Sequence, residues 1–238
     1  MASSIKYVAI ALLLVLLPVS QVVAVNEAVV TGLVSPIQQS SITYFVYNVT
    51  VPSEPSALVG VEFHAGLIAN DNSTVFKSTI AYGCQIDLHK ACYPPFLDRY
   101  IFYVSLIDIS SLYRTQIPKQ GYIVTPNDTY TITFSKTGVC SGVPTPSWQI
   151  QIRNVTAQFG RTLCGFTLDF NRMLTGMMEI HEVSSCNILP AEGSYTQENI
   201  TTNLGSEFTW SPLETNPIIN CNFQSTYQGD DVKITWTT

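Results

Sequence analysis

Apolar and polar positions alternate with a period of two along much of the chain. Trp148, Ile150 and Ile152 alternate with Gln149, Gln151 and Arg153, and Tyr130, Ile132 and Phe134 alternate with Thr131 and Thr133. Val232, Ile234 and Trp236 repeat the pattern around Lys233 and Thr235, and Ile42, Tyr44 and Val46 share one face of residues 42–50. Side chains two positions apart stand on the same side of a strand, so each stretch predicts a strand with one face in a core. Residues 100–109 are more uniformly apolar and predict a central strand covered on both sides. Two stretches depart from this reading. Residues 108–114 predict a short helix capped by Ser110 or Ser111, and residues 171–183 fit a helix or a methionine-rich strand equally. Turn clusters at 52–55, 70–73, 93–95, 126–128 and 229–231 punctuate the series.

Composition points the same way. Between residues 25 and 238, Val, Ile and Thr number 61, against 35 for Ala, Leu, Lys and Glu together. β-branched side chains are stiff about χ1 and suit a pleated surface. The expected fold is all-β, an antiparallel β-sandwich stapled by disulfides. Gly138, Gly142, Pro144 and Pro146 make 137–146 a candidate linker. It would divide a sandwich at 25–136 from a second at 147–238, with one large β domain over 25–238 as the alternative. A weak repeat accompanies that division: Asn48 and Thr50 recur as Asn154 and Thr156, Cys84 and Ile86 as Cys186 and Ile188, Ile132 and Phe134 as Ile234 and Trp236. Strands of similar composition generate such triplets by chance too.

The N-terminus reads as an export signal. Lys6 precedes a ten-residue apolar run at 8–17, Pro18 breaks it, and Val22 and Ala24 suit a cleavage site, which assigns 1–24 to a signal peptide. The run is short of the roughly 20 residues of a membrane span, and no second long run follows. An exported chain with six cysteines, Cys84, Cys92, Cys140, Cys164, Cys186 and Cys221, predicts three disulfides; local closure favours Cys84 with Cys92. Asn48, Asn72, Asn127, Asn154 and Asn199 each precede a Thr by two positions and are N-glycosylation candidates. The formal net charge of −6, with no basic block, argues against nucleic acid as a partner.

Motifs for chemistry are sparse. No Gly-x-Ser-x-Gly elbow occurs. His181 and Glu182 begin a zinc-hydrolase pattern, but Ser185 stands where its second His belongs. The three histidines take ordinary roles in this reading: His64 on a strand, His89 in a disulfide loop, His181 on a surface. Glu62, Asp169, Glu179 and Glu182 are candidates for a glycosidase pair. Asp230 and Asp231 after Gly229 could assist calcium binding or simply form a hairpin turn. Tyr44, Phe45 and Tyr47 occupy both faces of one strand, and Phe102 and Tyr103 both faces of another, so either a second layer covers them or aromatic area is exposed. The immunoglobulin pattern fails, because Trp210 lies close to Cys221 rather than early in the interval.

The expectation is therefore a secreted, glycosylated, non-enzymatic binding or structural protein. It has no catalytic or metal residues and no cofactor, and its partner is an extracellular protein or a glycan. The alternative is a carbohydrate-active protein, either a glycan-binding module or a two-carboxylate glycoside hydrolase. Two carboxylates converging in space would overturn the first reading.

Overall fold

The computed structural model describes residues 27–83, 85–87, 90–93, 97–108, 113–213, 215, 217 and 219–238. Its strands are β1 (Glu27–Val34), β2 (Tyr44–Thr50), β3 (Gly60–Ala69), β4 (Thr74–Tyr82), β5 (Gln85–Asp87), β6 (Lys90–Tyr93), β7 (Tyr100–Asp108) and β8 (Tyr113–Ile123). They continue as β9 (Thr129–Gly138), β10 (Ser147–Arg153), β11 (Gln158–Leu163), β12 (Phe170–His181), β13 (Ser194–Thr202), β14 (Ser211–Pro212), β15 (Gln224–Gln228) and β16 (Asp231–Thr235).

The strands form two seven-stranded sheets and a small hairpin. The first sheet has the order β14-β1-β12-β3-β4-β7-β8, the second β11-β10-β9-β2-β13-β16-β15, and β5 pairs with β6. Neighbouring strands are antiparallel throughout. The expected all-β sandwich is what forms. Strands from both sides of residues 137–146 interleave in each sheet, and that segment is the end of β9 and the loop that joins it to its partner β10. The division drawn there from glycine and proline content thus marks a turn inside one sheet. The ambiguous stretch 171–183 is largely strand, within β12. The short helix expected at 108–114 gives way at both ends, since Asp108 closes β7 and Tyr113 opens β8; residues 109–112 lie outside the described residues.

The two sheets meet through aromatic rings. Phe76 on β4 packs edge-on against Phe134 on β9 at 4.7 Å, and Phe63 on β3 stacks on Tyr195 of β13 at 4.2 Å. Phe45, Tyr47, Phe102, Trp148 and Trp236 join the same core. Apolar burial on this scale is the dominant stabilising term of such a domain. Tyr44, by contrast, faces outward and is partly exposed. Cys140 bonds to Cys164 and Cys186 to Cys221. Cys84 and the Cys92 side chain, the pair favoured by local closure, lie outside the described residues, as does His89.

The sheets differ in how their outer faces are treated. β9 alternates buried Tyr130, Ile132 and Phe134 with more exposed threonines, the pattern of a strand wet on one side. Every position of β3 is buried. Phe63, Ala65 and Leu67 face the sandwich interior, while Glu62 and His64 alternate with them on the opposite face. A strand buried on both faces has room for charge only if each charge finds a partner.

Candidate active site

The centre of the first sheet carries such a charged group on the face away from the interior. β3 and β12 pair in antiparallel register with Glu62 directly opposite Glu179. His64 follows Glu62 by two positions and His181 follows Glu179 by two, so all four side chains share one face. Because the strands run oppositely, each histidine falls diagonal to the other strand's glutamate, a separation long side chains can bridge. His64 Nε2 lies 2.6 Å from Glu179 Oε2, and His181 Nε2 lies 3.5 Å from Glu62 Oε1.

A bulge brings β12 into this phase. Leu174 pairs with Gly66 and Met177 with His64, so three steps on β12 oppose two on β3. The extra residue flips every later side chain. Without it, Met178 and Ile180, which pack in the main core, would occupy the face that Glu179 and His181 now hold. Gly176 sits in the bulge at φ 55°, and a Cβ there would come within 2.6 Å of Val232 Cγ1. Gln197 on β13 reaches between the sheets to pin it. Its Oε1 accepts from the Gly176 N–H at 2.8 Å and from the Thr175 hydroxyl, while its Nε2 donates to the His64 carbonyl at 3.1 Å.

Further partners come from β4 and β7. Lys77 Nζ is 3.4 Å from Glu179 Oε2, Tyr103 donates its hydroxyl to Glu62 Oε2 at 2.8 Å, and Thr79 Oγ1 is 2.9 Å from His64 Nδ1. Burial pushes His64 toward its neutral form, and the Lys77 charge adds to that. Near neutral pH a neutral ring with Nε2–H donating to the carboxylate and Nδ1 accepting from Thr79 satisfies both contacts, and in acid the protonated ring adds its charge beside both carboxylates. Burial alone would raise both carboxyls. For Glu179 this is outweighed by Lys77 and His64, which hold it well below the usual carboxylate range. For Glu62 it is outweighed by the contact with His181 and the charges of His64 and His181, which bring it down to about 2. The pair therefore stays ionised into acid. Glu62 is fully enclosed, whereas 12% of the Glu179 side chain meets solvent.

Donor atoms of Glu62, Glu179 and His181 lie within 4.8 Å of one another, a set that suits a zinc-like cation. The Lys77 ammonium beside Glu179 already supplies positive charge at that point.

Several sequence expectations change here. His181 is buried, not on a surface. Of the four glycosidase candidates only Glu62 and Glu179 meet. Asp169 pairs with Lys136 at 2.6 Å, and Glu182 is exposed at φ 58°. A glycosidase pair stands roughly 5–9.5 Å apart on either side of a sugar bond; Glu62 and Glu179 instead sit side by side, both within 3.4 Å of one imidazole nitrogen. Lys77 and Tyr103 carried no sequence signal as site residues. The doubled Glu-x-His at strand period stands in the sequence, but only the register of β3 with β12 sets the two halves opposite one another. Gly229 and Asp230 form the turn between β15 and β16, and Asp231 Oδ1 accepts the Asn199 N–H at 2.9 Å.

No sequence family and no curated protein sequence matches the chain. Solved structures do. Scytalido-glutamic peptidase with a transition state analog inhibitor aligns over 90% of this chain and 100% of its own, with a TM-score of 0.53 at 11% identity. SCP-B, titled a member of the eqolisin family of peptidases in complex with the tripeptide Ala-Ile-His, aligns over 91% and 100%, with a TM-score of 0.52 at 8% identity. This shared fold and the converged Glu62–Glu179 pair overturn the expectation of a non-enzymatic binding protein without a catalytic constellation, and the chain has the sandwich fold of these glutamic peptidases.

Proposed function

We propose that the protein is a secreted acid hydrolase that cleaves peptide bonds with the Glu62–Glu179 pair. The observation that carries this reading is the directly opposed pair of carboxylates on one sheet face, with Lys77 and two imidazoles around it. The fold shared with glutamic peptidases supports it. Glu179, the carboxylate with an edge open to solvent, is the general base. It takes a proton from water as the water oxygen bonds to the carbonyl carbon, and the carbonyl electron pair moves to oxygen beside the Lys77 ammonium. When the C=O bond re-forms, the C–N bond breaks and Glu179 returns its proton to the leaving nitrogen, giving an acid and an amine. Glu62, held by Tyr103 and His181, remains a fixed negative charge that keeps His64 oriented. Export through the 1–24 signal, glycans on exposed sequons and an extracellular protein as substrate belong to the same proposal, which the cysteine and sequon content supports.

The test is incubation of purified protein with a denatured protein substrate between pH 2 and pH 7, with new N-termini read by mass spectrometry. Cleavage should occur in acid and fall at least about a hundredfold in Glu179→Gln, the size of a general-base contribution. Absence of cleavage across that range, or full activity in Glu179→Gln, would refute the assignment.

A further inference from the structure

A polar group that the proposed chemistry does not use stands on the same sheet face. Lys77 on β4 pairs in register with Ser105 on β7, and Ser105 with Gln116 on β8. Residues opposite one another across a sheet share a face, so Gln116 stands on the side of Lys77 and the carboxylates. It is 93% buried, being 7% exposed. Its Nε2 donates to the Pro118 carbonyl at 3.3 Å and to the Lys119 carbonyl at 3.2 Å. Those two bonds fix the amide plane and turn Oε1 away from the carbonyls of its own strand. Reversing the amide would set its oxygen against them. Among the described residues Oε1 has no partner, and it is buried. A buried acceptor without a donor is costly, and it is rare in native proteins unless something external completes it.

We propose that Gln116 is a positioning residue for substrate: its Oε1 accepts a main-chain N–H of an extended peptide about six residues from the bond that is cut. This rests on the hydrolase reading above. Glu179 stands on β12 and Gln116 on β8, four strands apart in the order β12-β3-β4-β7-β8, or about 19 Å at ~4.8 Å per strand. An extended chain advances ~3.3 Å per residue, which gives an offset of about six residues. The substrate class is thus a polypeptide long enough to reach β8, not a dipeptide. Binding energy gathered there holds the scissile carbonyl at the carboxylates.

The experiment compares wild type and Gln116→Met on fluorogenic peptide libraries of fixed length, from two to eight residues. In wild type, kcat/KM should step up about tenfold at the length that reaches Gln116; the variant should lack that step. N-methylation of the peptide, scanned along its backbone, should cost wild type a similar factor at one position only, which tests the contact without altering the protein. Affinity of an eight-residue library for Glu179→Gln, with and without Gln116→Met, is measured in parallel. If wild type cuts no peptide, the hydrolase assignment falls, and the binding comparison still decides the role of Gln116. Equal losses at all lengths, no sensitive N-methyl position, or equal affinities would overturn the proposal.

Discussion

Replacing Glu62 by glutamine tests the electrostatics of the site without reference to activity. The carboxyl lies at about 2 in the folded protein against an ordinary 4.5. Each unit is worth about 1.4 kcal/mol, so its ionised state stabilises the fold by about 3 kcal/mol at neutral pH. Glutamine has the shape of the protonated acid and can still accept from Tyr103, so Glu62→Gln removes the charge and little else. The sign follows from the depressed value: the stabilisation is complete above 4.5 and is lost as pH falls through about 2. Thermal and urea unfolding of both proteins from pH 7 to pH 1.5 should show wild type more stable by about 3 kcal/mol above pH 5, or roughly 6–12 °C for a chain of this size. The gap should narrow below pH 4.5 and close near pH 2. A variant as stable as wild type at pH 7, or a gap that ignores pH, would refute the claim that His181 and His64 hold this carboxylate charged.

Hydrolysis should persist well below pH 4.5, because Glu179 is held in its basic form far below the usual range, and should fail only as that group protonates; a pH–rate profile with its acid limb at 4.5 or above would contradict this. Gly176→Val should unfold at least 10 °C lower than wild type and lose hydrolysis, since the residue combines φ 55° with a close approach to Val232. Removing Cys140–Cys164, which closes 24 residues, by Cys140→Ala with Cys164→Ala should lower stability by about 3 kcal/mol in urea titration. Glycan mapping should find Asn127 and Asn199, both exposed, more fully occupied than Asn154, whose Nδ2 donates to Asp128 and whose Oδ1 accepts from Thr156 and Ala157.

The strands were legible because period-two alternation survives wherever one face is wet. That is true of β9 and β10, and their boundaries follow from the pattern of Tyr130–Phe134 and Trp148–Ile152. It is not true of β3 and β4, where burial on both faces mixes Glu62, His64 and Lys77 among apolar residues and hides the alternation. The bulge at Gly176 breaks the period of β12 midway, which is why residues 171–183 fitted helix and strand equally. Sheet membership could not be read locally at all, since β3 pairs with a strand more than 100 residues away. The site shared that fate. Its halves, Glu62 with His64 and Glu179 with His181, each look like solvated polar pairs until register sets them opposite one another.

That long-range pairing between β3 and β12 has a bearing on biosynthesis. The amino-terminal glutamate exists in the nascent chain long before its counterpart is made, and pairings so distant in sequence form slowly. A ribosome-bound polypeptide therefore owns one carboxylate and lacks the opposed pair. The proposed reaction centre is complete only when the sheet closes, which requires that synthesis has passed residue 181.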